Sequence, residues 1–586
     1  MRAFLWTIEN SARVRYGRPF SRLPEATRRK WLRHFAEARY PVRILFRTLG
    51  IFVKLGYYDN PQRFAALGRE YEKPPVVDEP QRWWELVTPG SSITEDLELE
   101  CDAVVVGTGA GGAVVAAELA ERGHAVVMIE QGEYHRRSAF TGRPIDMQKL
   151  MYEDRGLTVT LGNVGIVMPY GRCVGGTTTI NSGTCFRTPP RVLAEWRERY
   201  GLSEYDEASL EPYFQRVESE YRVTPADMKY VGKSGEIIAR GAEKLGFEHG
   251  PLPRNAPDCD GQGCCALGCP ADAKRSTNVS YVPRALQANA FLITGTEVDE
   301  ITLRDGQACG VSGHVAATGR RVRIKSRVTV LAGGAISTPL LLLQTGLANS
   351  SGQVGRNLSI HPSAGVFAIN KEELEPEKSI PQGYGVFEFA DQDLLLENAH
   401  FPLDMAGMFW SQIGPDLQQL QENYNHLSVF GFIIRDTSRG RVRPGHLQRA
   451  LITYDVNPTD LRGLLHGIST ATRIMLASGA RAVHGPVHGW RLMRSERDLA
   501  ANLRRPIRVD DLDLSAYHPL GTCHMGGDAR SSVCRPDGRA WDVPGLYIAD
   551  GSVVPPALGV NPMITISAVA ARIADCIHDG LHGGGS

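Results

Sequence analysis

The chain has 586 residues, 42% of them apolar and 22% charged, and its 65 basic residues are balanced by 65 acidic ones. That length and composition specify a globular protein of two or more domains. A formal net charge of zero argues against a nucleic-acid partner, which demands a basic surface. No internal repeat or low-complexity linker interrupts the chain.

The first segment, Met1-Arg2-Ala3-Phe4-Leu5-Trp6, runs into charged residues within ten positions, so no secretory signal is expected. Scattered cysteines such as Cys173 and Cys309 suit a reducing compartment. A cytoplasmic or peripheral membrane location is therefore expected. Leu23-Pro24-Glu25 starts a predicted helix containing Trp31, Leu32 and Phe35. A second predicted helix covers Val42 to Leu55. At roughly 100° per residue, Arg43, Arg47 and Lys54 fall on one narrow stripe. Ile44, Leu45, Phe46, Leu49, Ile51, Phe52, Val53 and Leu55 cover the remaining arc. Such a helix either lies at a membrane interface or docks deeply on protein. It is too short and too charged to span a bilayer.

Cys101 to Val106 is a short apolar run rich in valine, the pattern of a buried parallel strand. Gly107-Thr108-Gly109-Ala110-Gly111-Gly112 follows, then an alanine-rich helix that Gly123 can stop, then a second strand from Ala125 to Ile129 that ends at Glu130. Gly107 permits a tight turn, Gly109 lets a pyrophosphate approach the backbone, and Gly112 lets the helix pack close to the strand. Phosphates would sit over the helix N-terminus, and Glu130 can accept from ribose hydroxyls. Strand, glycine fingerprint, helix and acid at this spacing specify a dinucleotide-binding unit.

Further along lies a glycine-rich loop with a hydroxyl run, Gly171 to Asn181, with Arg187 after it. Cys259, Cys264, Cys265 and Cys269 place four of the chain's eleven cysteines in eleven residues. Their spacing fits no zinc ribbon, and three readings stay open: disulfides, reduced thiols in a tight loop, or a metal or iron–sulfur cluster. Thr296-Glu297-Val298 is strand-like, and Leu331 to Pro339 leads into an apolar segment from Leu340 to Gly346. Gly385 to Phe389 and Leu427 to Phe432 read as strands and Leu461 to Ser478 as a helix. Near the end come His518-Pro519-Leu520-Gly521-Thr522, then Tyr547 to Ser552, then Gly559-Val560-Asn561-Pro562. His524 and His361-Pro362 lack comparable context and read as structural. Gly583-Gly584-Gly585-Ser586 reads as a flexible tail.

From about Cys101 to about Cys576 these separated motifs occur in the order in which the glucose–methanol–choline family of FAD-dependent oxidoreductases has them, and the chain resembles that family. The resemblance implies that Gly107, Gly109, Gly112 and Glu130 hold the ADP part of FAD. Arg172, Gly175, Gly176, Thr177 and Asn181 would line the flavin, and the Val298 backbone would meet the adenine. Asp550 and Gly551 would lie along the pyrophosphate and ribityl chain. Pro562 and Met563 would start a helix whose N-terminus favours charge on a reduced flavin. Some members attach FAD through a histidine just before the loop asparagine; Ile180 stands there, so non-covalent FAD is expected. His518 matches the family's catalytic histidine and Asn561 its partner. A neutral imidazole would take the hydroxyl proton while the α-hydride passes to flavin N5, and Asn561 would donate to the developing alkoxide.

The fold expected is α/β: a Rossmann-like FAD-binding domain, a substrate domain on a mostly antiparallel sheet, and an N-terminal helical extension. The expected divisions are 1–94 for the extension and 95–360 for the first part of the FAD domain, with a cysteine-rich insertion at 255–275. Residues 361–524 would form the substrate domain and 525–586 the rest of the FAD domain. Tyr547 to Ala570 is similar to cholesterol oxidase. The N-terminal extension and the cysteine cluster are similar to features of long-chain fatty alcohol oxidases. The expected activity is oxidation of a hydrophobic, long-chain alcohol, with oxygen or a redox partner as acceptor and membrane contact through residues 42–55. The alternatives are a sterol or sugar/polyol dehydrogenase that passes electrons to a protein or quinone, and a catalytically inactive flavin-binding or electron-transfer subunit.

Overall fold

Two eight-stranded sheets organise the chain. The structure, a computed structural model, describes residues 2–60, 62, 65, 76–374, 379–446 and 449–583. Gly584 to Ser586 of the expected tail, part of the 1–94 extension and the side chain of Phe52 lie outside the described residues.

The first sheet is built on the predicted dinucleotide unit. The strand Leu97–Val106 pairs in parallel with Val126–Ile129 on one side and with Arg321–Leu331 on the other. Phe291–Ile293 and then Val87–Thr88 extend it beyond Val126–Ile129. Leu546–Ile548 adds in parallel to Arg321–Leu331, so the chain's last strand returns to the sheet centre. An antiparallel meander, Thr296–Arg304, Gln307–Val315 and Arg321–Leu331, closes the other edge. The helix Gly112–Glu121 has a nearly unbroken alanine and valine surface and is buried almost throughout. A helix this apolar, with Glu118 and Glu121 its only charges, is stable only when largely covered. Here the sheet lies beneath it, and the C-terminal helix Met563–Gly583 and the helix Tyr281–Gln287 pack on it.

The second sheet is mostly antiparallel. Its order is Ile166–Val167, Leu514–Ser515, Ser363–Ile369, Leu427–Ile434, Leu394–Ala399, Tyr384–Val386 and His249–Pro251, with Ala482–His484 also paired to Ser363–Ile369. Strands from before residue 361 therefore enter it at both edges. The predicted helix at 461–478 is Pro458–Ala477, and its side-chain cap is Asn457 accepting from Asp460 N. It lies on the sheet beside the helix Met228–Leu245. The strand read at 385–389 stops at Val386, and Phe389 opens a short 3₁₀ turn.

The N-terminal region is helical: Arg2–Tyr16, Glu25–Ala36 and Tyr40–Tyr58. The basic stripe of the third helix faces protein. Arg43 donates to the Asp510 carbonyl, Arg47 pairs with Asp513, and Lys54 donates to the Trp410 carbonyl. Burial brings the Lys54 ammonium down to about 8, with repulsion from Arg47 adding to it. Arg143 meets Asp59 at 2.7 Å, and Tyr58 is buried among Leu403, Trp410 and Leu420. A membrane-facing basic stripe is thus excluded, because these cations already have partners on the body. Val42, Leu45 and Val53 are exposed instead.

Candidate active site

The nucleotide end starts at the three glycines. Gly107 has φ +101°, and a Cβ there would lie 2.4 Å from the Ala332 carbonyl oxygen. A Cβ on Gly112 would meet the Gly107 carbonyl oxygen at 2.1 Å. Both positions are closed by backbone, so turn and helix press together only without side chains. Gly109 differs: nothing lies within 4 Å of where its Cβ would be. Its bare backbone faces open space at the start of a helix, which fits a diphosphate. Glu130 is buried at the end of the strand Val126–Ile129. Its Oε2 accepts from Thr108 N at 3.1 Å and Thr108 Oγ at 2.7 Å, and its Oε1 from Gly132 N at 3.0 Å. Burial pushes its pKa up against these bonds. A carboxylate accepts about four hydrogen bonds, so capacity for a ribose hydroxyl remains.

The loop 171–181 folds back over this turn. Gly175 N donates to Thr108 Oγ at 3.0 Å, and Gly171 N donates to Thr177 Oγ at 3.1 Å. Gly175 and Gly176 both have positive φ, and Thr177–Ile180 form a single helical turn. Ile180 is buried and apolar, with no atom that could bond a flavin. Arg172 Nε lies 3.8 Å from Glu153. Asn181 Nδ2 points at Met563 Sδ, 3.2 Å away, which brings the loop against the head of the C-terminal helix. Lys274 ties the loop down from beneath. Its Nζ donates to the carbonyls of Thr178, Thr179 and Asn181 at 2.7, 2.9 and 2.9 Å. It is fully buried, and desolvation brings it down to about 8. No motif signalled Lys274, since it follows the cysteine loop without pattern.

Asp550 and Gly551, expected along the flavin chain, follow the strand Leu546–Ile548. Asp550 turns its carboxylate into the protein, accepting from Gly334 N, Thr338 Oγ and Ser552 N at 2.8, 2.6 and 2.7 Å. It braces the turns that follow two parallel strands. Gly551 sits 3.2 Å, measured from an added Cβ, from both Ile566 and the Pro519 carbonyl, between the C-terminal helix and the His518 loop. Val298 pairs with Gly313 at a register shift in the meander.

His518 and Asn561 come together although 43 residues separate them. Asn561 Nδ2 lies 3.4 Å from His518 Nε2. Pro562 supplies the carbonyl that accepts from Ile566 N, and the helix proper begins at Met563. Burial, with His361 beside it, pushes the His518 pKa well below the ordinary 6.5, which favours the neutral ring with one nitrogen lone pair.

Three further residues complete the cluster. Glu397, on the strand Leu394–Ala399, has Oε2 3.5 Å from Asn561 Nδ2 and 3.3 Å from Gln382 Nε2. Burial pushes its carboxyl up to about 7, against the Asn561 bond. His361, read as structural from sequence, is fully buried with its ring 5.4 Å from that of His518. Its Nε2 accepts from Leu558 N at 2.9 Å and Gly559 N at 3.2 Å, holding the segment that delivers Asn561. Burial, with Arg435 and Arg439 nearby, brings His361 down to about 3, which keeps it an acceptor. The buried Asp436 in turn accepts from His361 N at 3.2 Å, Ser359 Oγ at 2.7 Å and Tyr454 Oη at 2.7 Å. Four buried polar atoms here have no partner: His518 Nδ1, Asn561 Oδ1, Glu397 Oε1 and His361 Nδ1. Unpaired polar atoms are costly in a folded interior, and a group of them around one cluster is what a site for polar ligand atoms looks like. Glu397 had a sequence signal that went unread, a carboxylate within the apolar run Leu394-Leu395-Leu396-Glu397-Asn398.

The cysteine cluster does not form a cluster site. None of Cys259, Cys264, Cys265 and Cys269 is joined in a disulfide, and no three of them gather their sulfurs within metal-holding distance. Their surroundings explain why. Cys265 Sγ accepts from Arg254 at 3.2 Å and Cys269 Sγ from Lys274 N at 3.5 Å, so the sulfurs point to different donors.

The family model of the GMC oxidoreductase N-terminal region matches residues 147–363, and that of its C-terminal region matches 436–570. The chain belongs to the GMC oxidoreductase family. An NAD(P)-binding Rossmann-like domain matches residues 105–150, over the glycine turn and Glu130. A GMC-type oxidoreductase of Mycobacterium tuberculosis is 32% identical over 98% of this chain and 90% of its own length. A long-chain-alcohol oxidase of Arabidopsis thaliana is 30% identical over 82% of this chain and 69% of its own. The solved structure of pyridoxine 4-oxidase from Mesorbium loti superimposes with a TM-score of 0.61 at 18% identity, covering 82% of this chain and 99% of that one. This GMC oxidoreductase therefore has the family's mixed α/β fold, and the family together with the Rossmann-like domain implies FAD as its cofactor. Among the described residues no helix is long and apolar enough to cross a membrane.

Proposed function

We propose that this GMC oxidoreductase oxidises a hydrophobic alcohol, preferably long-chain, to the aldehyde or ketone, holds FAD without a covalent bond, and passes electrons to oxygen. Bound FAD supplies the two-electron acceptor for the hydride on the alcohol's α-carbon. The residues described above for the nucleotide and the loop 171–181 would hold it, with Gly109 open to the diphosphate. The sheet that includes most of 361–524 roofs the site and carries the substrate pocket.

His518 acts as the base. It is neutral through the ordinary pH range, so its Nε2 can receive the hydroxyl proton as the C–H bond breaks. Asn561 Nδ2, 3.4 Å from that nitrogen, donates to the alkoxide as charge builds on oxygen. Glu397 and His361 are positioning residues. The first steadies the Asn561 amide, and the second fixes the backbone of Leu558 and Gly559 before it. The observation that carries the reading is the convergence of unpaired polar atoms on His518, Asn561, Glu397 and His361. A cofactor-holding scaffold without turnover has no need of that convergence.

The choice of a long-chain alcohol draws support from the Arabidopsis relative and from the N-terminal helix Tyr40–Tyr58. Val42, Leu45 and Val53 stand on one face of it, 43, 58 and 57% exposed, while its cations are engaged with the body. Contact with a lipid surface would then be apolar and nearly independent of salt. Flotation with neutral phosphatidylcholine vesicles should retain the protein and should fail for Leu45→Glu/Val53→Glu. Retention only on anionic vesicles at low salt would refute this route. For the substrate, turnover is compared across medium- and long-chain primary alcohols, sterols, sugars and small polyols under air. Oxygen consumption highest with the long-chain alcohols is expected; turnover confined to sugars or polyols would refute the preference.

A further inference from the structure

We propose that His124, His578 and His582 form a surface site for one divalent transition-metal cation of the zinc class, which clips the end of the C-terminal helix to the turn before the strand Val126–Ile129.

His578 and His582 stand one helical turn apart on Met563–Gly583, so their rings share a side, with centroids 4.4 Å apart. His124 arrives from a different element, the turn between Gly112–Glu121 and Val126–Ile129. Its Nε2 lies 2.9 Å from His578 Nδ1. One ring nitrogen from each residue lies within 4.8 Å of the other two. Zinc–nitrogen bonds of about 2.0–2.1 Å in a tetrahedron put ligand nitrogens roughly 3.3 Å apart, so small ring rotations suffice. Among the described residues this is the only such gathering of three metal-capable side chains.

The backbones that carry the rings are already fastened to each other. Ala125 N donates to Asp102 Oδ2 at 2.9 Å, and Asp102 Oδ1 accepts from Arg327 Nη1 at 3.1 Å. Arg327 Nη2 then donates to the Leu581 carbonyl at 2.9 Å. The turn and the last helical turn are thus held in register by one carboxylate and one guanidinium, so the fastening of the two backbones does not draw on the imidazoles, whose only mutual hydrogen bond, His124 to His578, a cation would replace. Three imidazoles select zinc, copper, nickel or cobalt over calcium or magnesium. His124 and His578 are partly buried and His582 is exposed, so a water can complete the shell. The two helical ligands lie 15 and 19 residues, or roughly 23–29 Å, along the helix from Met563. Its role is therefore to stabilise the helix and not to take part in the chemistry.

The test is isothermal titration of the chelator-stripped holoprotein with Zn²⁺, with Co²⁺ as a spectroscopic probe and the thermal midpoint recorded alongside. The proposal expects saturable one-to-one binding and a higher midpoint with Zn²⁺. Loss of an outer-shell partner alone costs about 10–100-fold in metal affinity, so His578→Ala and His582→Ala should each lose at least about tenfold. Flavin absorbance should be unchanged in both. His582 is exposed, so its variant folds as the parent does and keeps the test decisive. Absence of saturable binding would overturn the proposal. So would binding that survives both substitutions, which would assign the metal to other residues such as the cysteines between 259 and 269.

Discussion

Replacing Glu397 by glutamine removes a titrating proton from the centre of the site without changing the side chain's shape. Burial pushes this carboxyl up to about 7 from the ordinary 4.5. At about 1.36 kcal/mol per pH unit, that difference is worth on the order of 3 kcal/mol. The sign follows from proton binding. Between the two values the folded protein holds a proton that the unfolded chain has released, so stability is full below about 4.5 and is lost as pH rises through about 7. Glutamine does not titrate and can still accept from the Asn561 amide. Glu397→Gln should therefore resemble the parent at pH near 4.5 and gain on it by up to about 3 kcal/mol at pH near 8. Thermal unfolding of both holoproteins across that range reads the effect as a gap in midpoints that opens with pH. A gap of equal size at both ends of the range would refute the argument that this carboxyl is held protonated by burial.

Three other substitutions probe the cofactor and its supports. Gly109→Ala should fold with an unchanged apoprotein midpoint, because its Cβ meets nothing within 4 Å, yet should retain far less FAD through gel filtration. Retention equal to the parent's would mean that no diphosphate lies there. His361→Ala leaves the Leu558 and Gly559 N–H groups without their acceptor, at about 1–3 kcal/mol for each unsatisfied donor. It should lower kcat while the protein stays yellow, and a normal kcat would remove His361 from the positioning role. Lys274→Met strips three buried carbonyls of their donor. Each buried carbonyl left without a donor costs about 1–3 kcal/mol, to be read as a lower unfolding midpoint and faster loss of FAD.

The legible parts of the chain were those whose meaning is local. Gly107, Gly112 and Glu130 declared themselves because a tight turn, a close helix and an acid at a strand end all lie within thirty residues. The parallel strand Leu97–Val106 and the helix Pro458–Ala477 showed in their apolar patterns for the same reason. His518 and Asn561 were legible as motifs, but their 3.4 Å approach depends on two distant loops meeting. Glu397, Asp436 and Lys274 were missed because their importance comes from burial and partners, which spacing does not encode. The helix Tyr40–Tyr58 shows a further limit. Periodicity placed Arg43, Arg47 and Lys54 on one stripe, but which way the stripe faces depends on Asp510, Asp511 and Asp513, some 460 residues away. The cysteine run left disulfides, reduced thiols and a cluster all open, because which donors meet the sulfurs depends on Arg254 and the Lys274 backbone and is not written in the spacing.

The central claim is that His518 takes the alcohol's proton beside a reducible flavin. Anaerobic stopped-flow mixing with a long-chain primary alcohol measures it directly through the loss of the flavin's yellow absorbance. The parent enzyme should bleach. His518→Ala should keep its flavin and bleach more slowly by about 10²–10⁴-fold, the usual contribution of a positioned general base. Bleaching of the two proteins at the same rate would contradict the account.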